Sequence, residues 1–193
     1  EFRSEDITNW TADRIAAVGI SMVPQGRMIF GDLTVHENLE MGGYLTKDIK
    51  ELQYQIGRVY EFFPSLKERQ SSFGSELSGG QQQILAIGRG LVRAPTLLLL
   101  DEPSLGLSPI AVEQMRETII GLKKEFNTGI VIVEQNISLA FSVIERGYLL
   151  KQGEVVAKGS LTELKSSGAM ESIYLGDTGV KGTSGNRREV KDN

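Results

Sequence analysis

Apolar residues recur along this chain with two different periods, and the periods separate helices from strands. Leu52, Ile56, Val59 and Phe63 follow at steps of four, three and four, which sets one apolar stripe on a helix over 47–63 that Pro64 ends. Val112, Met115, Ile119, Leu122 and Phe126 form a similar stripe on a helix over 109–126. Ser108 as cap and Pro109 in the first turn mark its start. Short apolar runs stand between the helices, at 20–23, 96–100 and 130–133. The last two lack polar alternation, as strands covered on both faces of a parallel sheet do.

Polar residues and glycines supply the remaining boundaries. Thr11 caps a helix over 12–18 that Gly19 stops, and Thr34 with Glu37 forms a capping box for a helix over 35–41. Ser78 caps a helix that runs from Gly79 or Gly80 to about Leu91. A helix over about 137–144 follows the third apolar run. Segments 148–150 and 155–157 pair around Gln152-Gly153 as a hairpin, and Ser160 with Glu163 opens a last helix. Region 30–75 offers no strand. The chain therefore reads as an α/β fold with a mostly parallel sheet and an inserted helical subdomain. The expected division is an α/β core from 1–29 and 92–176, a helical subdomain over 30–91, and a polar, disordered tail over 177–193.

Composition narrows the chemistry. The 193 residues carry no cysteine and a single histidine, His36, so thiolate sites, disulfides and histidine clusters are excluded. His36 reads as a surface or structural residue. The net charge of −4 gives no basic face, which argues against a nucleic-acid partner. No apolar run approaches the roughly 20 residues of a membrane span.

Parallel sheets bind ligands beyond the carboxyl ends of their strands, so the loops after Val23, Leu100 and Val133 are the places to search. Asp101 and Glu102 follow directly on a leucine run and precede Pro103. Asp101 suits Mg²⁺, a hard ion that prefers oxygen, and Glu102 can polarise a water for attack on a phosphate. Ser78, Gly79 and Gly80 open a helix, where unpaired N–H groups and the helix dipole favour a phosphate. Gln25 and Gln135 stand at two other strand ends, with amides able to coordinate or orient but not to act as acid or base. Each has a plainer reading. The carboxylates can cap the next helix or face solvent, the glycines can make a tight turn, and Gln25 can be an ordinary turn residue.

With these segments in view, the chain resembles an ATP-binding-cassette ATPase. LSGGQQQ (77–83) matches that family's signature and LLLLDEP (97–103) its Walker B strand, in the right order and spacing. VPQGRMIFGDLTVHENLEMG (23–42), LSGGQQQILAIGRGLVRAPTLLLLDEPSLGLSP (77–109) and IVIVEQN (130–136) resemble the ATPase subunits of branched-chain amino-acid importers and their urea-importer relatives. The resemblance covers about 6–176 and implies a P-loop NTPase-like sheet. It implies ATP and Mg²⁺ as ligands. Gln25 would touch the metal–water network and relay to the transmembrane subunits. Ser78, Gly79, Gly80 and Gln81 would contact a triphosphate held by a second ATPase subunit. Asp101 would bind Mg²⁺ through water, Glu102 would be the catalytic carboxylate, and Gln135, in the place of a switch histidine, would hydrogen-bond a γ-phosphate. The loop 105–108 would cross the dimer interface, and the helical insertion would dock a short helix of a membrane permease. The subunit would sit on the cytoplasmic face of the inner membrane.

Three departures qualify this picture. Gln135 replaces the histidine of most members, and Ser108 replaces an aspartate, both as in the amino-acid-importer branch. The third is larger: no G-x-x-x-x-G-K-[ST] occurs in the sequence. The expectation is of a cassette lacking its N-terminal strands and phosphate loop, about a quarter of a normal domain, and inactive alone. A non-catalytic fragment or regulatory binding module is the alternative.

Overall fold

The computed structural model describes residues 1–166. The described residues fall into two compact units, Glu1–Val143 and a second that begins at Ile144. Among the described residues no helix is long and apolar enough to cross a membrane. The expected tail over 177–193 lies outside the described residues.

The first unit is built on a parallel sheet of order β1-β2-β3, with β1 at Ile20–Val23, β2 at Leu97–Asp101 and β3 at Gly129–Val133. Ile20 faces Leu97 across the first ladder and Leu97 faces Gly129 across the second. α1 (Ala12–Ala17) precedes β1, and Gly19 between them takes a φ of +95°, a turn that a side chain would strain. Thr11 is the N-cap residue of α1 but its hydroxyl makes no cap bond.

All the elements between β1 and β2 are helical, as the missing strand signal predicts. α2 (Val35–Gly42) starts on the expected box: Glu37 N–H donates to Thr34 Oγ1 at 3.2 Å and Thr34 N–H to Glu37 Oε2 at 2.7 Å. α3 (Ile49–Phe62) is capped by Asp48, which accepts from Lys50 N–H at 2.8 Å. Pro64 does stop α3, and it also begins α4 (Pro64–Glu68) at a first-turn position that needs no N–H. A short 3₁₀ turn, Gly74–Glu76, leads to α5 (Gly79–Leu91). Neither α4 nor the 3₁₀ turn has the length to show a period in the sequence.

α5 is the central helix of the core. Leu85, Ile87 and Leu91 are fully buried with Leu39, Ile56, Val59 and Leu66 from α2, α3 and α4. Burying each such side chain contributes about 1.5–3 kcal/mol. Leu98 and Leu100 of β2 join this core, whereas Leu97 and Leu99 are only partly covered. α6 (Pro109–Phe126) buries Met115, Ile119, Leu122 and Phe126 from its predicted stripe, and Asn127 ends it in the left-handed conformation. α7 (Ile137–Val143) closes the unit.

β3 departs from expectation. The run 130–133 reads as a buried strand, yet Val131 and Val133 are 50% and 58% exposed. β3 pairs only with β2 among the described residues, and the face carrying Val131 and Val133 is open.

The second unit contains β4 (Arg146–Lys151) and β5 (Glu154–Ser160), an antiparallel pair longer than the sequence suggests, with a register shift between Leu149 and Leu150. Gln152 and Gly153 both take positive φ, as a tight hairpin turn requires. Ser160 and Glu163 form the expected capping box at the head of α8 (Leu161–Ser166).

Candidate functional site

Three loops leave the three parallel strands at the same edge of the sheet, because parallel neighbours end together. The loop after β2 begins with Glu102, whose φ of +45° lies in the left-handed region. For a residue with a Cβ this conformation costs on the order of 1 kcal/mol. Two backbone bonds hold it: Glu102 N–H donates to the Val133 carbonyl at 2.8 Å, and Leu105 N–H donates to the Glu102 carbonyl at 3.0 Å.

The Glu102 carboxylate is taken from both sides. Gln25 Nε2 donates to Oε2 at 3.0 Å, and Gln135 Nε2 donates to Oε1 at 2.9 Å. Residues 77 and 33 positions away in sequence thus converge on one carboxylate. A carboxylate offers about four acceptor positions. Two amide donors leave room for a water on the same oxygens.

Asp101, half-buried, is the last residue of β2 and precedes Glu102 directly. With Nε2 of Gln25 engaged, its Oε1 remains an acceptor, so Asp101 and Gln25 offer the oxygen donors that Mg²⁺ prefers. Among the described residues no group of three His, Cys, Asp or Glu side chains assembles a self-sufficient metal site.

Ser78, Gly79, Gly80 and Gln81 form the first turn of α5. Ser78 Oγ accepts from Gln81 N–H at 3.4 Å, and Gln81 Oε1 accepts from Ser78 N–H at 3.0 Å. The capping box uses both side chains, leaving the glycine N–H groups at the positive end of a 13-residue helix. No hydrogen bond among the described residues joins this turn to Glu102.

Arg27 links the turn to the Gln25 loop instead. Gly26, Arg27 and Met28 all take positive φ. The resulting kink lets Arg27 Nη1 donate to Gln82 Oε1 at 3.1 Å, and a Cβ on Gly79 would stand 3.0 Å from Arg27 Nη2. Arg89 Nη2 in turn donates to the Arg27 carbonyl at 3.5 Å. No motif or periodicity singles out Arg27. A run of residues forced into left-handed backbone is visible only in coordinates.

Glu134 was also missed. Its Oε1 accepts from Ser104 N–H at 2.8 Å and its Oε2 from Asn136 N–H at 3.2 Å. Asn136 Oδ1 then accepts from Leu139 N–H at 3.0 Å at the start of α7. One signal for it exists in the sequence, since Glu134 ends an apolar strand run directly beside Gln135.

Comparison with known proteins gives the family. The family model described as ABC transporter matches residues 1–105, which include the α5 turn and the Asp101-Glu102 step. The high-affinity branched-chain amino acid transport ATP-binding protein BraG of Pseudomonas aeruginosa is 42% identical over 175 residues, covering 91% of this chain and 74% of BraG. The probable branched-chain amino acid transport ATP-binding protein LivF of Archaeoglobus fulgidus is 34% identical, covering 89% and 72%. The lipopolysaccharide export system ATP-binding protein LptB of Haemophilus influenzae is 30% identical, covering 90% and 72%. Among solved structures, the ADP conformation of an ATP-binding cassette of an ABC transporter superposes with a TM-score of 0.75 at 25% identity, covering 89% of this chain and 74% of that one. On the family match and these identities, the chain belongs to the ABC transporter family, as one of its ATP-binding subunits.

Proposed function

We propose that this chain is the ATP-hydrolysing subunit that energises an importer of branched-chain amino acids or a related small solute. The observation that carries the reading is Glu102, fixed at the end of the central strand with an amide on each carboxylate oxygen. In the reaction, ATP and water give ADP and inorganic phosphate. Glu102 accepts a hydrogen bond from the attacking water and draws its proton as the oxygen approaches phosphorus. Gln25 and Gln135 hold the carboxylate in place, and Gln135, being neutral, can hydrogen-bond the γ-phosphate without adding charge. Asp101 and Gln25 would hold Mg²⁺, which supplies neutralisation of the phosphate oxygens. Ser78, Gly79, Gly80 and Gln81 would meet the triphosphate bound by a second ATPase subunit. The importer assignment follows the stronger likeness to BraG and LivF than to LptB, 42% and 34% against 30%.

The same reading divides the chain into a core of 1–29 and 92–176 around the helical subdomain 30–91. It places the subunit on the cytoplasmic face of the membrane, against a permease. A groove of about 690 Å³ runs between α1, β1, α2 and α5, with Phe30, Met41, Tyr44 and Arg89 along it. Arg89 Nη1 is buried without a partner, and burial lowers the guanidinium pKa. A permease helix with an apolar face and one carboxylate would fill the groove and give Arg89 its acceptor. The sequence holds no G-x-x-x-x-G-K-[ST], so these residues do not themselves supply a phosphate loop of that form.

The test is ATP turnover by the assembled transporter with Glu102→Gln. The substitution keeps shape and removes the base, and turnover should fall at least about 100-fold. Undiminished turnover refutes the role of Glu102. That missing motif also favours a second reading, a binding module without an ATP cycle. Calorimetric titration of the 193-residue chain with Mg-ATP bears on the choice: saturable binding favours the ATPase, and no binding supports a face that needs an intact partner subunit.

A further inference from the structure

The loops after β2 and β3 are joined by more than the Glu102–Gln135 pair. Ser104 is 8% exposed, and its N–H lies in the turn after the strained Glu102. Neighbouring amides of that turn are satisfied within it, Leu105 by the Glu102 carbonyl at 3.0 Å and Leu107 by the Ser104 carbonyl at 3.1 Å. Ser104 N–H instead donates out of the turn, to Glu134 Oε1 at 2.8 Å. The other oxygen of the same carboxylate accepts from Asn136 N–H at 3.2 Å, on the far side of Gln135. Gln135 is therefore bracketed by a residue bonded to its neighbour and to the Glu102 loop. Glu102 N–H on the Val133 carbonyl closes the ring from the other side.

We propose that Glu134 is a positioning residue for ATP hydrolysis, clamping the loop 102–108 to the loop 134–136 so that the Gln135 amide stays on the Glu102 carboxylate. The proposal rests on the ATPase reading above. The clamp requires two acceptor oxygens on one side chain. Glutamine has the same shape but one acceptor and an NH₂ group, so it can serve Ser104 or Asn136 and not both. A movement of the loop 102–108 is passed through Glu134 to Gln135, and the geometry at Glu102 responds to whatever that loop contacts.

Two measurements on Glu134→Gln test the proposal. In the 193-residue chain without nucleotide, amide exchange read by NMR should show Ser104 or Asn136 losing protection about tenfold or more, with α5 unchanged. Both amides exchanging as slowly as in the wild type overturns the clamp. In the assembled transporter, kcat should fall on the order of 10- to 100-fold with the KM for ATP unchanged, the mark of a misplaced catalytic group. Gln135→Ala added to Glu134→Gln should lower kcat little beyond either substitution alone, because both act on one bond. Additive losses show that Glu134 does not act through Gln135 and overturn its positioning role. Wild-type transporter that fails to hydrolyse ATP sinks the ATPase reading itself, and the amide exchange still decides whether the clamp exists.

Discussion

Two glycine-to-alanine substitutions in neighbouring helices should change stability in opposite directions. Gly57 lies inside α3 with nothing within 4 Å of where a Cβ would stand. Alanine there gains helix propensity, about 0.8–1.0 kcal/mol, and meets no neighbour. Gly42 ends α2, where a Cβ would stand 2.2 Å from the Arg89 carbonyl oxygen and 2.9 Å from Arg89 Cγ. The first obstacle is backbone of α5 and cannot rotate away. Ordinary contact begins near 3.4 Å, so α2 must retreat from α5 by about 1 Å. Leu39 and Leu85, both fully buried, would lose packing in that retreat. Overpacking of this kind costs about 1–3 kcal/mol, against a propensity gain that is smaller at a helix end. Gly42→Ala should therefore be net destabilising by about 1–2 kcal/mol, and Gly57→Ala stabilising by somewhat less than 1 kcal/mol. Urea unfolding followed by circular dichroism reads both as shifts in midpoint at constant slope. Melting temperatures should move by about 2–4 °C per kcal/mol for a chain of this size. A Gly42→Ala protein as stable as the wild type would show that the α2–α5 approach is not fixed by that glycine.

Three further outcomes follow from single residues. Burial and the Glu40 carboxylate push the Tyr60 phenol up to about 12, and the difference in absorbance at 295 nm between wild type and Tyr60→Phe should show that late ionisation. The unfolded chain loses that proton near pH 10, so stability should decline as pH rises from about 10 to 12, and less in Tyr60→Phe. Glu37 has its pKa lowered by the Thr34 N–H and hydroxyl, so its contribution is present above the unfolded value of about 4.5 and lost as pH falls through the folded one; acid unfolding of Glu37→Gln should be the flatter of the two. Ser108→Ala removes the acceptor for Ala111 N–H and should cost about 1 kcal/mol in urea unfolding, with Ser108→Thr recovering most of it.

The boundaries of most elements were legible because they rest on local chemistry. Thr34, Ser78, Ser108 and Ser160 each cap the helix that their sequence position announces. A cap involves residues two or three apart, and such spacing survives in one dimension. The Arg27–Gln82 bond joins residues 55 apart through a kink of positive φ, and nothing local encodes it. β3 failed for another reason. An unbroken apolar run states that both faces seek cover, but it does not say what supplies the cover, and Val131 and Val133 remain open among the described residues. Pro64 is both the stop that the sequence announces and the start of α4, two roles that share the same missing N–H.

The site was half legible for a reason that lies in the sheet. Alternating strands and helices predict parallel strands whose ends share an edge, which places Gln25, Glu102 and Gln135 in one region without giving their order. The order β1-β2-β3 decides the chemistry. With β2 central, Glu102 has one loop on each flank, and each flank delivers one amide to one oxygen. Were β1 and β3 adjacent, the two glutamines would neighbour each other and the glutamate would keep at most one of them. The left-handed turn at Glu102 belongs to the same design, since its N–H reaches the Val133 carbonyl of the adjacent strand. Strand order thus turns three residues that are unremarkable in isolation into a carboxylate held from both sides, with two acceptor positions left for a water.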